Sequence, residues 1–128
     1  MKSLEAQFAD IRAAFPGATI TAYGNGTSVV VIPEIALPEG WSQGVTGVSF
    51  AVPNGYPYAA PDCFWADSAL RLKGGTQPAN TGANAAQPGI PPTQTLWFSW
   101  HLNGSWNPST CDLMTYVRVI RKRFEAVR

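Results

Sequence analysis

Apolar positions along the chain fall into a few readable periods. After Ser3, a residue suited to capping a helix, Leu4, Phe8, Ile11 and Phe15 recur every three to four positions, the period of an amphipathic helix. Pro16-Gly17 ends it. Ala18 to Tyr23 and Thr27 to Ile32 then read as two strands joined at Gly24-Asn25-Gly26, a hairpin signal. The second strand carries Val29-Val30-Val31-Ile32 without alternation, which predicts burial on both faces. Past the Leu37-Pro38-Glu39-Gly40-Trp41 loop, Val48, Phe50 and Val52 alternate with Gly47, Ser49 and Ala51 in a third strand. Pro53-Asn54-Gly55-Tyr56-Pro57 breaks that strand, and Cys63-Phe64-Trp65 forms a short fourth.

Gly74 to Thr95 has no apolar period and no charged residue, and it holds four glycines and four prolines. A loop of that length inside a compact domain is either an active-site flap or a mobile insertion. At the C-terminal end Ser109 with Asp112 fits a capping box. Leu113, Val117, Ile120 and Phe124, with Tyr116 and Val127, follow as one helical stripe. The fold class is therefore α+β: an N-terminal helix, a four-stranded antiparallel meander, a long loop and a C-terminal helix, both helices on one sheet.

Between the loop and the last helix lies Trp97-Phe98-Ser99-Trp100-His101, with Trp106-Asn107-Pro108 five residues beyond His101. Three of the five tryptophans and the sole histidine sit here. On an extended segment Ser99 and His101 point one way while Phe98, Trp100 and Leu102 point the other. Such a segment anchors itself in a core and presents a hydroxyl and an imidazole together.

Composition narrows the chemistry. The 128 residues make one domain, 1–128, at 45% apolar and 13% charged, which excludes disorder. A net charge of +1 gives no case for nucleic acid or a membrane surface. Five of the nine basic residues nevertheless fall in the last eleven positions; they complement a helix dipole or dock an acidic partner. Cys63 and Cys111 have no metal-ligand spacing, so neither a metal nor another cofactor is expected. With no signal-peptide core and no membrane-spanning run, the expected location is the cytoplasm.

Several short motifs, in order, resemble one family. Asn54-Gly55-Tyr56-Pro57-Tyr58-Ala59-Ala60-Pro61 resembles the Tyr-Pro-rich turn of ubiquitin-conjugating enzymes, and Trp106-Asn107-Pro108 resembles the Trp-x-Pro after their active site. With Phe15-Pro16-Gly17, Leu37 to Trp41, Val52 to Pro57, Asp62-Cys63-Phe64-Trp65, Ser99-Trp100-His101 and Asp112 to Tyr116, nearly the whole chain resembles the prokaryotic ubiquitin-conjugating-like family E. The resemblance implies a UBC-like fold, here trimmed after the last helix. It also implies acyl transfer of a ubiquitin-like protein received from an activating enzyme, in bacterial antiphage operons that also encode a JAB-type metallopeptidase.

The usual active-site signature departs here. His-Pro-Asn is missing, Phe98 stands eight residues before Trp106, and no cysteine lies between Ser68 and Thr110. The nearby nucleophile is Ser99, which needs a base that His101 can supply, with Asp112 or another carboxylate orienting the ring. Oxyanion donors come either from the Gly/Asn-rich loop or from Asn103. Cys111, placed in the first helical turn where the dipole favours a thiolate, is the alternative nucleophile, while Cys63 reads as core. The competing reading is a catalytically inactive UBC-like module that scaffolds the ubiquitin-like protein or its activating enzyme.

Overall fold

A computed structural model describes residues 2–128. Helix α1 spans Leu4–Ala14, with the Ser3 hydroxyl accepting the Ala6 N–H at 3.1 Å. Six strands follow rather than four: β1 Thr19–Ala22, β2 Ser28–Ala36, β3 Val45–Val52, β4 Phe64–Ala66, β5 Thr81–Gly82 and β6 Leu96–Phe98. Helix α2, Leu113–Glu125, closes the chain. The antiparallel sheet runs β1-β2-β3-β4-β6-β5. The two extra strands, β5 and β6, are two and three residues long, too short to show a period in the sequence.

Strand β2 runs past Ile32 as far as Ala36 because the ladder slips between Ile32 and Ile35. Pro33 lies inside that slip, where a residue without an N–H removes no ladder bond.

Both helices pack on one sheet face. Phe8 and Ile11 of α1 and Leu113, Tyr116, Ile120 and Phe124 of α2 join Val30, Ile32, Val48, Phe50, Phe64 and Phe98 in one cluster. Gln7, 3% exposed, ties the helices together, because its Oε1 accepts the Leu113 N–H at 3.1 Å and also the Tyr56 hydroxyl.

Segment 83–95 covers the opposite face. Ile90 packs with Val29 and Trp65, the Trp65 indole donates to the Ala85 carbonyl at 2.9 Å, and Gln94 bonds Ser49. Gly47 permits this close approach, since a Cβ there would lie 2.6 Å from Gln94 Nε2. The same strap explains the unalternating run at Val29–Ile32. Val30 and Ile32 face the helices while Val29 faces the strap.

Helix α2 begins later than the Ser109 cap predicts. Asp112 is its N-cap, and its side chain bonds the Thr115 N–H at 2.9 Å while the Thr115 hydroxyl accepts the Asp112 N–H at 3.0 Å. Asn107 holds Ser109 outside the helix by accepting its N–H at 2.9 Å in an Asx turn.

Candidate functional site

The site is built from the end of β6 onward. Phe98 fixes that end: its ring stacks on Phe64 at 4.6 Å and meets the edge of Phe124 at 5.6 Å. Aromatic pairs of this kind each contribute about 0.5–1.5 kcal/mol beyond their buried area. Ser99 follows, one residue past the strand, and its side chain is exposed. Its N–H donates to the Asn80 carbonyl at 2.9 Å, and Asn80 adopts φ of 61°, a left-handed conformation that asparagine tolerates. The start of the long loop therefore borders Ser99, whereas its later part crosses to the far face.

Trp100 turns inward against the core, as alternation requires. Its ring lies 5.4 Å from the Arg123 guanidinium, and its carbonyl accepts the Tyr116 hydroxyl at 2.9 Å. Burial, followed by nearby Cys63 and Asp62, pushes the Tyr116 hydroxyl well above the ordinary phenol range. It therefore stays protonated and remains a donor at neutral pH.

His101 is exposed, with Nδ1 3.7 Å from Asp62 Oδ1. Asp62, rather than Asp112, is the carboxylate beside this ring, since the Asp112 side chain is committed to the helix cap. Among the described residues no hydrogen bond joins the Ser99 hydroxyl to His101, and none anchors residues 101–105. The Trp100 and His101 backbone N–H groups likewise find no protein acceptor among the described residues. Ser99 is thus followed in the chain by two residues with unclaimed backbone donors, while the His101 ring, with Asp62 nearby, lines a cavity with Trp100, Leu102 and Asn103.

The other end of the loop is pinned. The Trp106 indole donates to the Pro57 carbonyl at 2.8 Å and its ring lies 6.1 Å from that of Tyr56. The Trp-Asn-Pro and Tyr-Pro motifs, 49 residues apart, therefore meet. Burial first, then the charges of Asp112 and Cys111, hold the Tyr56 hydroxyl far above its ordinary value, keeping it a donor to Gln7.

Cys111 precedes the Asp112 cap rather than lying inside the helix. It is half-buried, donates its N–H to the Asn107 carbonyl at 2.7 Å, and its Sγ receives the Asn107 N–H at 3.5 Å. Cys63 is half-buried under the strap beside Trp97, and burial pushes its thiol up. Extending the Phe64↔Phe98 register by one pair sets Cys63 across from Ser99.

Four residues that hold the site were missed in the sequence: Asp62, Asn80, Tyr116 and Arg123. None carried a signal in spacing alone: only the β4–β6 register of the structure, extended by two pairs, sets Asp62 opposite Trp100, one residue from His101. Asn103 lines a cavity with Trp100 and His101. Among the described residues, no three His, Cys, Asp or Glu side chains gather as a metal site. No helix there is long and apolar enough to cross a membrane.

Two helices on one face of an antiparallel sheet, with an aromatic-pinned loop leading into α2, define an α+β protein of the UBC-like class. The chain belongs to Prokaryotic E2 family E, whose sequence profile matches residues 18–127. Membership implies ubiquitin-like conjugation as the general activity class, with a ubiquitin-like protein and an activating enzyme as partners. Neither the curated proteins nor the solved structures include a match to this chain.

Proposed function

We propose that this chain accepts the C-terminus of a ubiquitin-like protein from its activating enzyme, holds it as an oxyester on Ser99 and transfers it to a target. The observation that carries this reading is the exposed Ser99, one residue past a strand fixed by stacked phenylalanines, with His101 two residues further along the chain and Asp62 3.7 Å from its ring.

In the loading step His101 Nε2 takes the Ser99 proton as Oγ attacks the thioester carbonyl of the activating enzyme. The C–S bond breaks and the released thiolate recovers that proton. Asp62 faces Nδ1, which leaves Nε2 as the basic nitrogen. The unclaimed Trp100 and His101 N–H groups suit the oxyanion of the tetrahedral intermediate. In the transfer step His101 takes the proton of the target nucleophile as it attacks the ester carbonyl, and returns that proton to Ser99 Oγ as the ester C–O bond breaks. His101 closes onto Ser99 by side-chain rotation at an exposed position, since the two are not bonded in the unloaded protein. Asp112 acts through the helix cap.

Family membership supports the activating enzyme and the ubiquitin-like protein as partners; we extend the proposal to a cytoplasmic bacterial defence system that includes a JAB-type metallopeptidase, as the motif resemblance implies. One observation favours a second reading, the non-catalytic scaffold, namely the missing Ser99–His101 hydrogen bond. The choice is made by incubating the chain with activating enzyme, ubiquitin-like protein and ATP, then separating products under denaturing conditions. An adduct that survives thiol reductant, hydrolyses in hydroxide and disappears in Ser99→Ala supports the ester. An adduct lost to reductant and to Cys111→Ala moves the acyl group to Cys111, and the absence of any adduct supports the scaffold.

A further inference from the structure

Among the described residues Arg123 is the only charged one that the fold buries, at 1% exposed. Its fork is spent on backbone oxygens. Nη1 donates to Ala126 at 2.8 Å, and Nη2 donates both to Arg128 at 2.7 Å and to Ala79 at 2.8 Å. Enclosing a guanidinium is costly, and an apolar side chain of similar volume would fill the same place with less loss. Gathering three oxygens from two separate segments, however, needs several donors on one rigid frame, which arginine supplies.

Both of the joined segments reach Ser99. Ala79 precedes Asn80, whose carbonyl accepts the Ser99 N–H at 2.9 Å. Asn80 stands at φ of 61°, and the edge strand β5 that follows it is two residues long, too short to hold its own position. The Ala79 bond is therefore an anchor that α2 gives to this segment. On the other side, Val127 seats residues 126–128 against Gly40, where a Cβ would stand 2.6 Å from Val127 Cγ1. The Trp41 indole closes that seat by donating to the Phe124 carbonyl at 2.9 Å. The Arg128 guanidinium then lies 5.9 Å from the ring of Trp100, the residue after Ser99.

We propose that Arg123 is a positioning residue for acyl transfer: its fork clamps residues 126–128 to Ala79, and Ala79 through Asn80 fixes the backbone that carries the Ser99 hydroxyl. Arg123 acts through the backbone alone. Its effect on catalysis rests on the oxyester reading of Ser99, whereas its effect on where Ser99 stands does not.

Two variants and the unmodified chain test this. Arg123→Met keeps the apolar length of the side chain and removes the fork, while Arg123→Lys keeps the charge and replaces the fork by one ammonium. Loading from the charged activating enzyme is followed per folded molecule, and the adduct is mapped to its residue. In both variants kcat is expected to fall about tenfold with KM for the charged activating enzyme unchanged. The Ser99 N–H is expected to exchange about tenfold faster, beyond any change in the β2 and β3 amides. Wild-type loading in Arg123→Lys overturns the proposal, because charge rather than the fork would then suffice. A uniform rise in exchange also overturns it, being the mark of general destabilisation. If neither variant folds, the unmodified chain in sub-denaturing urea decides. There the Ser99 N–H and the Arg123 Nε–H are expected to exchange in one opening event with a common urea dependence; Ser99 exchanging while Arg123 stays protected overturns the tether. An adduct mapped to Cys111 in the unmodified chain overturns the oxyester reading and with it the catalytic role, and the exchange measurement alone then decides the tether.

Discussion

Replacing Tyr116 by phenylalanine cuts one bond between α2 and the site. The hydroxyl donates to the Trp100 carbonyl at 2.9 Å, and that carbonyl lies between Ser99 and His101 in sequence. The ring itself stays, and with it the edge contact to Phe50 at 5.1 Å. A neutral hydrogen bond of this kind contributes about 0.5–1.5 kcal/mol net. The bond is part-buried and Trp100 as a residue is half-buried, so the expectation is set by the ordinary hydrogen-bond range. The expected loss is about 1 kcal/mol, which lowers the urea midpoint by about 0.5 M at an m-value near 2 kcal/mol/M. The loss is also local. The Ser99 N–H bonded to Asn80 is expected to exchange with solvent about fivefold faster in native conditions, while β2 and β3 amides follow only the global change. An unchanged midpoint with unchanged Ser99 exchange would refute the tether. A loss above about 3 kcal/mol would show that the hydroxyl holds up the core rather than the loop.

Other outcomes follow from the same geometry. Asp112→Ala removes the cap of α2 and costs about 1 kcal/mol in chemical denaturation, yet leaves an adduct at Ser99; Asp62→Asn does the reverse, slowing loading about tenfold or more with little change in stability, because an exposed pair contributes only about 0–1 kcal/mol. Loss of the adduct in Asp112→Ala alone would return the orienting role to that residue. Ile90→Ala destabilises by about 2 kcal/mol and raises hydrogen exchange across 83–95 while β6 stays protected; uniform loosening would contradict a separable strap. Burial raises the Cys63 pKa, so this thiol alkylates more slowly with iodoacetamide than a cysteine in an unstructured peptide. The neutral thiol is the form favoured by the fold, so its contribution to stability is complete below the ordinary thiol pKa and is lost as pH climbs through the raised one. Equal alkylation rates would contradict the buried placement.

The helices and first three strands were legible because they are long enough to show a period. Leu113 to Phe124 reads as a stripe, and the structure buries it. Strands β5 and β6 were hidden by length, and β2 was cut short at Pro33 because a bulge cannot be seen in a one-strand pattern. The helix cap was misplaced by one competing interaction: the Asx turn at Asn107 captures Ser109 before it can cap. The loop hid its two roles for a related reason. Residues 79–82 pair along the site strand, while Ile90 and Gln94 pin the remainder to the far face. At the site, alternation correctly placed Phe98 and Trp100 inward and left Ser99 exposed. Partners from distant segments, Asp62 against His101 and Arg123 beneath Trp100, depend on register and helix placement that spacing alone does not carry.

The central claim concerns one oxygen atom, and peptide mapping by mass spectrometry reads it directly. After loading with activating enzyme, ubiquitin-like protein and ATP, the adduct is digested under mildly acidic conditions that preserve esters, and the acylated peptide is fragmented. The account predicts the remnant of the ubiquitin-like C-terminus on Ser99, absent from Ser99→Ala and from reactions without ATP. A remnant on Cys111, on Cys63 or on a lysine, with Ser99 unmodified throughout, would contradict it.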